Sequence, residues 1–439
     1  LISMSDLEKN YGFEKPKKLQ GSASLQGILE LPLKMKIEPN EIKYKLSGFI
    51  KDLKISGETF LGNITSDELS LEIKKSHVQL SGQVSVGDIP ADIKYISGFG
   101  KEGNTITPRI EGKILISENI FNILQYDTGN DWLSGSAAAF VFVDFPRNQN
   151  PTFRLTSNLQ GLAIRLPEIG WEKNQSALAS LEVFGTINDG LQYDKFSISG
   201  ENLEVNGTVT DNETFVLERL LIDGILDISG SVSKDELKIT GGEFNLANYL
   251  KIIEPNFERN KGIPITVDLD TIHITDSFYI DNFSTNFFSD RINGPFNGLF
   301  MGVDPISGTF MSKSGIGSVE ILSKDAGAFL QVAGLIKKGA EGSLRLSISR
   351  KQKNIEGRLL TEDLKIYDLP ALAKLLQALS IIGLLEQMLG QGLFLDESDI
   401  NFRLDGGQYI IDRASFFGPS LGISLDGYFD RKGKILDFQ

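Results

Sequence analysis

A three-residue pattern recurs along the whole chain: an aliphatic residue, a polar residue and then a glycine. Examples are Leu80-Ser81-Gly82, Val205-Asn206-Gly207 and Leu425-Asp426-Gly427. The glycine keeps the phase of the apolar residues around it, because every second residue there is apolar or glycine. Alternation with a period of two is typical of a β-strand with one apolar and one polar face. Glycine on the apolar side leaves a strand locally unfilled and bendable. The pattern therefore predicts a curved sheet with an apolar concave side.

The strand patterns follow one another at short spacing, without the alternating helices that a parallel sheet requires. We therefore expect an all-β chain with a few short helices, folded as an elongated, curved antiparallel sheet that forms an open apolar groove. Turn dipeptides punctuate the strands. They are Asp189-Gly190, Asp223-Gly224 and Asn293-Gly294.

The groove is expected to be lined by the alternating apolar residues of the clearest strand patterns. These candidates are Val78, Leu80, Val84, Val86, Leu203, Val205, Val209, Leu226, Ile228, Val232, Leu344, Leu346, Ile423, Leu425 and Phe429.

Four segments have the spacing of helices. Three are short: Ser117–Tyr126, Phe244–Ile253 and Asp325–Ile336, the last with Ser323 as a cap. The fourth, Asp368–Leu389, has Asp368 as its cap and Pro370 in its first turn.

The fourth helix, 368–389, is far more apolar than its neighbours. It has three interpretations: a helix packed on the sheet, a helix that contacts lipid at the end of the groove, or a membrane span. Its length is near the lower limit for a span, and Lys374 and Glu386 would be costly inside a bilayer. We expect it to close or guide one end of the groove through six residues: Leu372, Leu375, Leu376, Leu379, Ile382 and Leu385.

Composition and charge narrow the function. The 439 residues carry a net charge of -14, from 44 basic and 58 acidic side chains. Nucleic-acid binding depends largely on Lys and Arg contacts to phosphate, so this acidic balance argues against a nucleic-acid partner. The chain has no cysteine, which rules out disulfides, thiolate metal sites and cysteine nucleophiles. It opens without Met and stops inside an apolar run, so we expect it to be a fragment that lacks its targeting segment.

No catalytic, cofactor or metal site is predicted. The segment Gly418–Gly422 spells a nucleophile elbow around Ser420, but a strand pattern and no histidine follow it. Asp268, Asp270, His273 and Asp276 resemble a metal-binding set. The two aspartates at 268 and 270 alternate with apolar residues, however, so a solvated strand edge is the simpler interpretation. We therefore expect that the protein is not an enzyme.

Two long stretches resemble a known family. Residues 318–350 and 369–439 resemble the AsmA-like C-terminal region of YhdP-type proteins. Residues 21–55 and 77–98 are similar to the repeats that precede this region in alphaproteobacterial members. The resemblance implies a repetitive groove region over residues 1–255. It also implies an AsmA-like region over 256–439 that continues the groove and contains the helix 368–389.

The resemblance also implies a function. YhdP-type proteins are bridge-like lipid transfer proteins of the Gram-negative envelope, so the chain is expected to be periplasmic. The full-length protein would be anchored in the inner membrane by a segment missing here. It would carry phospholipid along the groove to the outer membrane, or to an envelope partner at the far end. The alternatives left open are an ordinary sandwich, a structural or adhesive β-solenoid, and an envelope-assembly scaffold without lipid cargo.

Overall fold

The computed structural model describes residues 18–34, 42–56, 63–87, 89–99, 103–117, 132–166, 170–188, 190–211, 213–252, 262–313, 316–351, 354–368, 392–405, 408–419, 421–430 and 435–438. The chain divides into two compact units, unit 1 (Leu1–Leu220) and unit 2 (Leu221–Gln439). The boundary expected from the sequence, between residues 255 and 256, falls outside the described residues and stays a prediction.

Unit 1 is built from strands. In chain order they are β1 (Lys18–Glu30), β2 (Lys43–Ser56), β3 (Ile64–Ile73), β4 (His77–Val86), β5 (Ile89–Gly98), β6 (Arg109–Ile116), β7 (Leu133–Gly135), β8 (Ala137–Asp144), β9 (Thr152–Ser157), β10 (Leu162–Leu166), β11 (Trp171–Lys173), β12 (Ala179–Ile187), β13 (Leu191–Gly200) and β14 (Leu203–Thr210). The next strand, β15 (Thr214–Ile222), crosses the division between the units.

The main sheet of unit 1 is an antiparallel meander. Each strand pairs with the next in the order β1-β2-β3-β4-β5-β6-β8-β9-β12-β13-β14. The three short strands left out of this order form a second sheet, β7-β10-β11, which is also antiparallel. The expectation of consecutive antiparallel strands is therefore confirmed for this unit.

Unit 2 continues with strands and two short helices. They are β16 (Leu226–Val232), β17 (Leu237–Asn245), α1 (Leu246–Ile252), β18 (Pro264–His273), β19 (Tyr279–Phe288), β20 (Ile292–Phe300), β21 (Asp304–Lys313), β22 (Ile316–Ser323), α2 (Ala326–Val332), β23 (Lys338–Ala340), β24 (Ser343–Lys351), β25 (Asn354–Asp368), β26 (Leu393–Asp405), β27 (Gln408–Gly418), β28 (Leu421–Asp430) and β29 (Ile435–Phe438).

The sheet of unit 2 is antiparallel except at one pair. β17 and β18 are parallel, and the connection between them contains α1. Parallel neighbours need such a crossover, since the chain must return to the starting edge. All other described pairings follow the chain, with β24 next to β22, and β23 beside the end of β25. The prediction of an antiparallel meander throughout is therefore wrong for the pair β17 and β18.

The helix predictions had mixed outcomes. The predicted helix 244–253 is confirmed as α1, and the one at 325–336 is confirmed as the shorter α2. Its cap is Asp325 and not Ser323: an Asp325 carboxylate oxygen accepts from the Ala328 N–H at 2.9 Å, while the Ser323 hydroxyl accepts from Asp325 N–H. The predicted helix 117–126 lies outside the described residues, except for Ser117. The predicted helix 368–389 does too, except that Asp368 ends β25.

One of the predicted turns lies inside a strand. Asn293 and Gly294 belong to β20, where Gly294 is the direct partner of Phe310. The chain instead turns at Ser289 and Asp290, just before this strand. Asp223-Gly224 does form a turn, with Gly224 at a φ of +71°. The pair Asp189-Gly190 includes a residue outside the described ranges.

Several strand glycines lie opposite an aromatic residue of the neighbouring strand. The direct partner pairs are Gly185–Phe153, Gly207–Phe196, Gly308–Phe296 and Gly357–Phe402. A Cβ atom added at Gly207 or Gly308 would lie 2.6 Å from the ring of its partner, so the rings already occupy this space. The sequence pattern predicted unfilled space beside glycine, which was wrong at these positions. Glycine here makes room for a neighbouring ring.

This contact predicts a difference between two glycines of unit 2. In Gly308→Ala the new methyl group would meet the Phe296 ring and the Glu320 carbonyl oxygen. We expect the free energy of unfolding to fall by roughly 1–3 kcal/mol, as in other overpacked sites. Gly317→Ala is the matched control, because no atom lies within 4 Å of its added Cβ. Its effect should stay within about 0.5 kcal/mol. Urea unfolding of both variants measures this, and equal losses would contradict the ring contact.

Candidate functional site

One face of the main sheet in unit 1 is apolar, as the strand register demonstrates. Residues that are direct partners across neighbouring strands point to the same side of a sheet. Two adjacent rows of such partners cross eight strands from β4 to β14, and Ser157 is their single polar member. The first row is Val84, Ala91, Ile114, Ala139, Ser157, Leu181, Ile198 and Val205; the second is Gly82, Ile93, Gly112, Val141, Leu155, Val183, Phe196 and Gly207.

The sheet of unit 2 has an apolar face of the same kind. One row of direct partners crosses twelve strands from β16 to β28, with Thr285 as its single polar member. The row is Gly230, Ile239, Val267, Thr285, Phe296, Gly308, Ile321, Leu346, Leu359, Ile400, Ala414 and Leu425. Along β21 the residues of this face are shielded while those between them are exposed, so burial follows the same alternation.

The predicted lining residues fall on these two apolar faces. Val84 and Val205 lie at the two ends of one row in unit 1, and Leu346 and Leu425 share a row in unit 2. Val78, Leu80 and Val86 lie on the same face of β4, and Leu203 and Val209 on the same face of β14. Leu226, Ile228 and Val232 flank Gly230 in β16, and Leu344 and Ile423 share the neighbouring row of unit 2.

Two groups of predicted residues have no described side chains. Phe429 lies in β28 opposite Tyr409, but its side chain is outside the described set. Leu372, Leu375, Leu376, Leu379, Ile382 and Leu385 all lie in 369–391, outside the described residues. Their contact with lipid or with the sheet stays a prediction.

The second sheet of unit 1 covers part of the apolar face. Leu162 of β10 is buried against Ala137, Ala139 and Ala179 of the main sheet, and Ile164 packs beside it. Alanines on the main sheet leave room for this close approach. The apolar face is therefore covered at this end of the strands by the protein itself.

A buried lysine holds the second sheet together. Lys173 at the end of β11 donates hydrogen bonds to the carbonyl oxygens of Leu159 and Leu162, both at 2.7 Å, and of Asn174 at 3.1 Å. Three acceptors match the three N–H donors of an ammonium group. Burial lowers the pKa of Lys173. With its donors satisfied, this lysine has a structural role.

Helix α2 covers part of the apolar face in unit 2. The Phe329 ring of α2 stacks on Phe300 of β20, with 4.4 Å between the ring centroids. Leu330 is buried in the same cluster as Leu364 and Leu395 of β25 and β26. Both units thus cover part of their apolar face with a small additional element, a sheet in one and a helix in the other.

The opposite face of each sheet, called the polar face here, carries charged side chains. In unit 1 it also includes aromatic residues such as Phe142, and in unit 2 it carries ion pairs. Arg358 donates from Nε and Nη2 to the two carboxylate oxygens of Asp399, at 2.9 and 2.8 Å. These hydrogen bonds lower the pKa of Asp399. Arg345 donates to Glu320 at 3.2 Å on the same face. Since acidic and basic groups alternate here, the polar face has no extended patch of one sign around these pairs.

Two hollows follow rows of the polar face. In unit 2 a hollow of about 860 Å³ lies along one row: Thr309, Glu320, Ser347, Arg358 and Asn401. In unit 1 a hollow of about 860 Å³ lies along another: Glu111, Phe142, Arg154, Phe184 and Lys195. Neither hollow is the apolar groove expected from the sequence. The apolar groove therefore stays a prediction that depends on the apolar faces.

The acidic residues of β18 do not assemble a metal site. Asp268 and Asp270 are exposed, and an Asp270 carboxylate oxygen accepts from the Gly242 N–H at 2.8 Å. His273 Nε2 lies 3.6 Å from a carboxylate oxygen of Glu243. Within the described ranges no group of three or more His, Cys, Asp or Glu side chains is arranged to hold a metal ion. Ser420 of the elbow-like segment lies outside those ranges.

Sequence reasoning missed many residues of the apolar faces. In β8 (AAAFVFVD) apolar residues occupy both faces, because Phe140 and Phe142 lie on the polar side. The period of two is hidden there, so Val141 was not singled out. The alternation in β25 and β26 does contain a usable signal for Leu359 and Ile400. The covering role of β7, β10 and β11 has no signal in the hydrophobic pattern.

The fold defines a class: an all-β protein with two compact units of curved, mostly antiparallel sheet. No protein-family model matches the chain, and no curated protein or solved structure is significantly similar to it. No helix among the described residues is long and apolar enough to cross a bilayer. The family resemblance therefore stays a prediction.

One buried carboxyl predicts a pH-dependent stability. Asp304, at the start of β21, is 2% exposed, and one of its carboxylate oxygens has no hydrogen-bond partner. Burial raises its pKa; Asp325 acts in the same direction, and a hydrogen bond with Ser323 opposes them. A carboxyl whose pKa is raised in the folded state destabilises the fold increasingly as the pH rises above its unfolded pKa, and to the full extent above its folded pKa.

Asp304→Asn should therefore raise the free energy of unfolding at pH 7. This gain should shrink as the pH falls through the folded pKa toward the unfolded value of about 3.9. Asp399→Asn is the control of opposite sign, because the pKa of Asp399 is lowered. It should slightly destabilise the protein at pH 7. Urea unfolding at pH 7 and near pH 4 tests both, and a destabilising Asp304→Asn at pH 7 would contradict the assignment.

Proposed function

We propose that this chain is a periplasmic lipid-transfer protein that carries phospholipid acyl chains along its apolar faces between the inner and outer membrane. In this proposal the full-length protein is anchored to the inner membrane, and its far end meets the outer membrane or an envelope partner. The observation that carries the proposal is the continuity of the apolar rows. The two rows of unit 1 cross eight strands that are neighbours in the sheet, and the row of unit 2 crosses twelve. Ser157 and Thr285 are the polar members of these three rows.

An acyl chain is a suitable occupant of such a face on energetic grounds. Each methylene removed from water contributes about 0.8 kcal/mol. Soluble proteins rarely leave contiguous apolar surface uncovered. Between β22 and β28 most residues of the face, such as Ile348, Leu359 and Leu425, are only half-buried. Acyl chains would complete their burial.

The nearly uniform chemistry of the two rows in unit 1 suits movement along the sheet, whereas the row of Leu344 and Ile423 in unit 2 also contains Ser323, Thr361 and Ser398. A charged or hydrogen-bonding side chain would create a strong local site, and a lipid would have to break those bonds to advance. The rows of unit 1 instead repeat aliphatic, aromatic and glycine residues from strand to strand, about 4.8 Å apart. A lipid tail would meet similar contacts at each strand, while its polar headgroup stays in water. This arrangement supports transport in preference to storage.

The alternative is a scaffold without lipid cargo, and two observations favour it. Aromatic rings such as Phe296 already fill the space beside glycines, and two hollows of about 860 Å³ lie along polar rows. A scaffold would fill its apolar face with its own side chains. The two functions differ in one measurable property, because only the first requires phospholipid to bind the apolar face.

Aspartate substitutions on the two faces test this difference. Leu80→Asp and Leu425→Asp place a carboxylate on the apolar faces, where it would have to be desolvated against acyl chains. We expect phospholipid that copurifies with the protein to fall by about tenfold or more, the effect of a penalty above about 1.4 kcal/mol.

The matched controls are Ser81→Asp and Ser424→Asp, which carry the same charge on the polar face one residue away. They should keep the wild-type lipid content. Lipid mass spectrometry of the purified proteins measures the content, and circular dichroism verifies that each variant is folded. Folded wild-type protein without phospholipid, or equal losses on both faces, would contradict the proposal.

A further inference from the structure

Within the described residues, strand β1 is an edge strand that pairs on one side only. Among the described residues its neighbouring strand is β2, and the residue pairings run from Lys18 opposite Ser56 to Glu30 opposite Lys43. All its residues from Leu19 to Glu30 are exposed. An edge strand presents a row of N–H and C=O groups that can pair with another strand.

This edge has one register irregularity, between Gln20 and Ser22, but it lacks the other features that usually prevent pairing. Natural edge strands are shortened, or carry lysine, proline or inward-pointing charges. β1 is 13 residues long, and its eleven residues from Leu19 to Leu29 include neither a charge nor a proline. Its large apolar side chains are well exposed: Leu19 at 56%, Ile28 at 69% and Leu29 at 61%. The strand is therefore suited to pairing.

The sequence of β1 is complementary to itself in one antiparallel register. If two copies pair about a two-fold axis at Ser24, partner positions add to 48 (24 + 24). Lys18 then lies opposite Glu30 at both ends, and Leu19 lies opposite Leu29. The remaining pairs are Gln20 with Ile28, Gly21 with Gly27, Ser22 with Gln26, and Ala23 with Leu25. All 13 residues are paired.

Neighbouring registers lose this match. A centre at Leu25 leaves Lys18 without a partner position and places Glu30 opposite Gln20. A centre at Ala23 places Lys18 opposite Ile28 and leaves Glu30 without a partner position. Opposite charges across a strand pair are stabilising, so the charges at the two ends select the register centred on Ser24.

We propose that two copies of this chain associate through β1, antiparallel and centred on Ser24. A two-fold axis normal to the sheet keeps the faces of both copies on the same side. The apolar face of one copy, which includes Leu25 and its row partners Gly48, Leu71 and Leu80, then continues into the other. This dimer is isologous, the commonest arrangement of homo-oligomers. It does not depend on lipid binding, so either proposal can fail alone.

Disulfide formation tests the register directly, because the chain has no cysteine. In Ser24→Cys the two thiols face each other, with Cα atoms about 4.5–5.5 Å apart, which a disulfide can bridge. In Ser22→Cys they are four residues out of register, roughly 13 Å apart along the strand, and cannot be bridged. Mild oxidation and a non-reducing gel should show a covalent dimer for Ser24→Cys and monomer for Ser22→Cys.

Charge exchange tests the same register without a covalent bond. Lys18→Glu or Glu30→Lys places like charges together at both ends, and each should weaken dimerisation by about tenfold or more. The double variant Lys18→Glu/Glu30→Lys restores opposite charges and should dimerise as wild type. Sedimentation equilibrium at 0.15 M salt measures this, since the long-range repulsion between two acidic chains is then screened.

These experiments have outcomes that overturn the proposal. A wild-type chain that stays monomeric at its highest soluble concentration, with Ser24→Cys uncrosslinked, would exclude self-pairing and leave the edge to a strand of another protein. Equal crosslinking of Ser24→Cys and Ser22→Cys would indicate unspecific contact. A double charge variant that remains weak would contradict the register.

Discussion

The whole structure depends on the register of hydrogen-bonded strand pairs. Side chains alternate between the two sides of a strand, so slipping one strand by one residue would move all its apolar side chains to the polar face. Unbroken rows from Val84 to Val205 and from Gly230 to Leu425 mean that no such slip occurs over many successive strands. Where the register does shift, as between Asn401 and Phe402, a local irregularity absorbs it and the faces are kept.

Glycine and aromatic residues fit this register as complementary pairs. A ring such as Phe402 needs the space that its partner Gly357 leaves, and a larger residue at the glycine would push the strands apart. The fit fills the face locally without a second sheet. Where more cover is needed, the protein adds β7, β10 and β11 in one unit and α2 in the other. Among the described residues other parts of these faces, such as Ile348 and Leu425, are only half-buried, and the lipid proposal depends on these parts.

Much of this architecture could be predicted from the sequence, because period-two alternation is a local signal. The strands and the shared face of Leu80 and Val84 follow from it, and helix α1 follows from helical spacing, which is also a local signal. The parallel pair β17 and β18 could not, since strand order depends on contacts between distant segments. Asn293-Gly294 was misread as a turn, because its glycine lies inside β20, where a Cβ atom would meet the carbonyl oxygen of Asn286 in the neighbouring strand. Lys173 gave no signal, because its acceptors are carbonyl groups. The sequence predicts which residues share a face of the sheet. It does not predict which molecule covers that face, because that molecule is not part of the chain.

The location of bound lipid tests the central claim most directly. Ile348 and Ser349 are neighbours in β24 on opposite faces, and the chain has no cysteine, so each can carry a single bimane label through a cysteine substitution. Phospholipid with a doxyl group in its acyl chain quenches bimane at short range. The account predicts strong quenching of the label at position 348 and little at position 349. Equal quenching at both positions, or none at position 348, would contradict it.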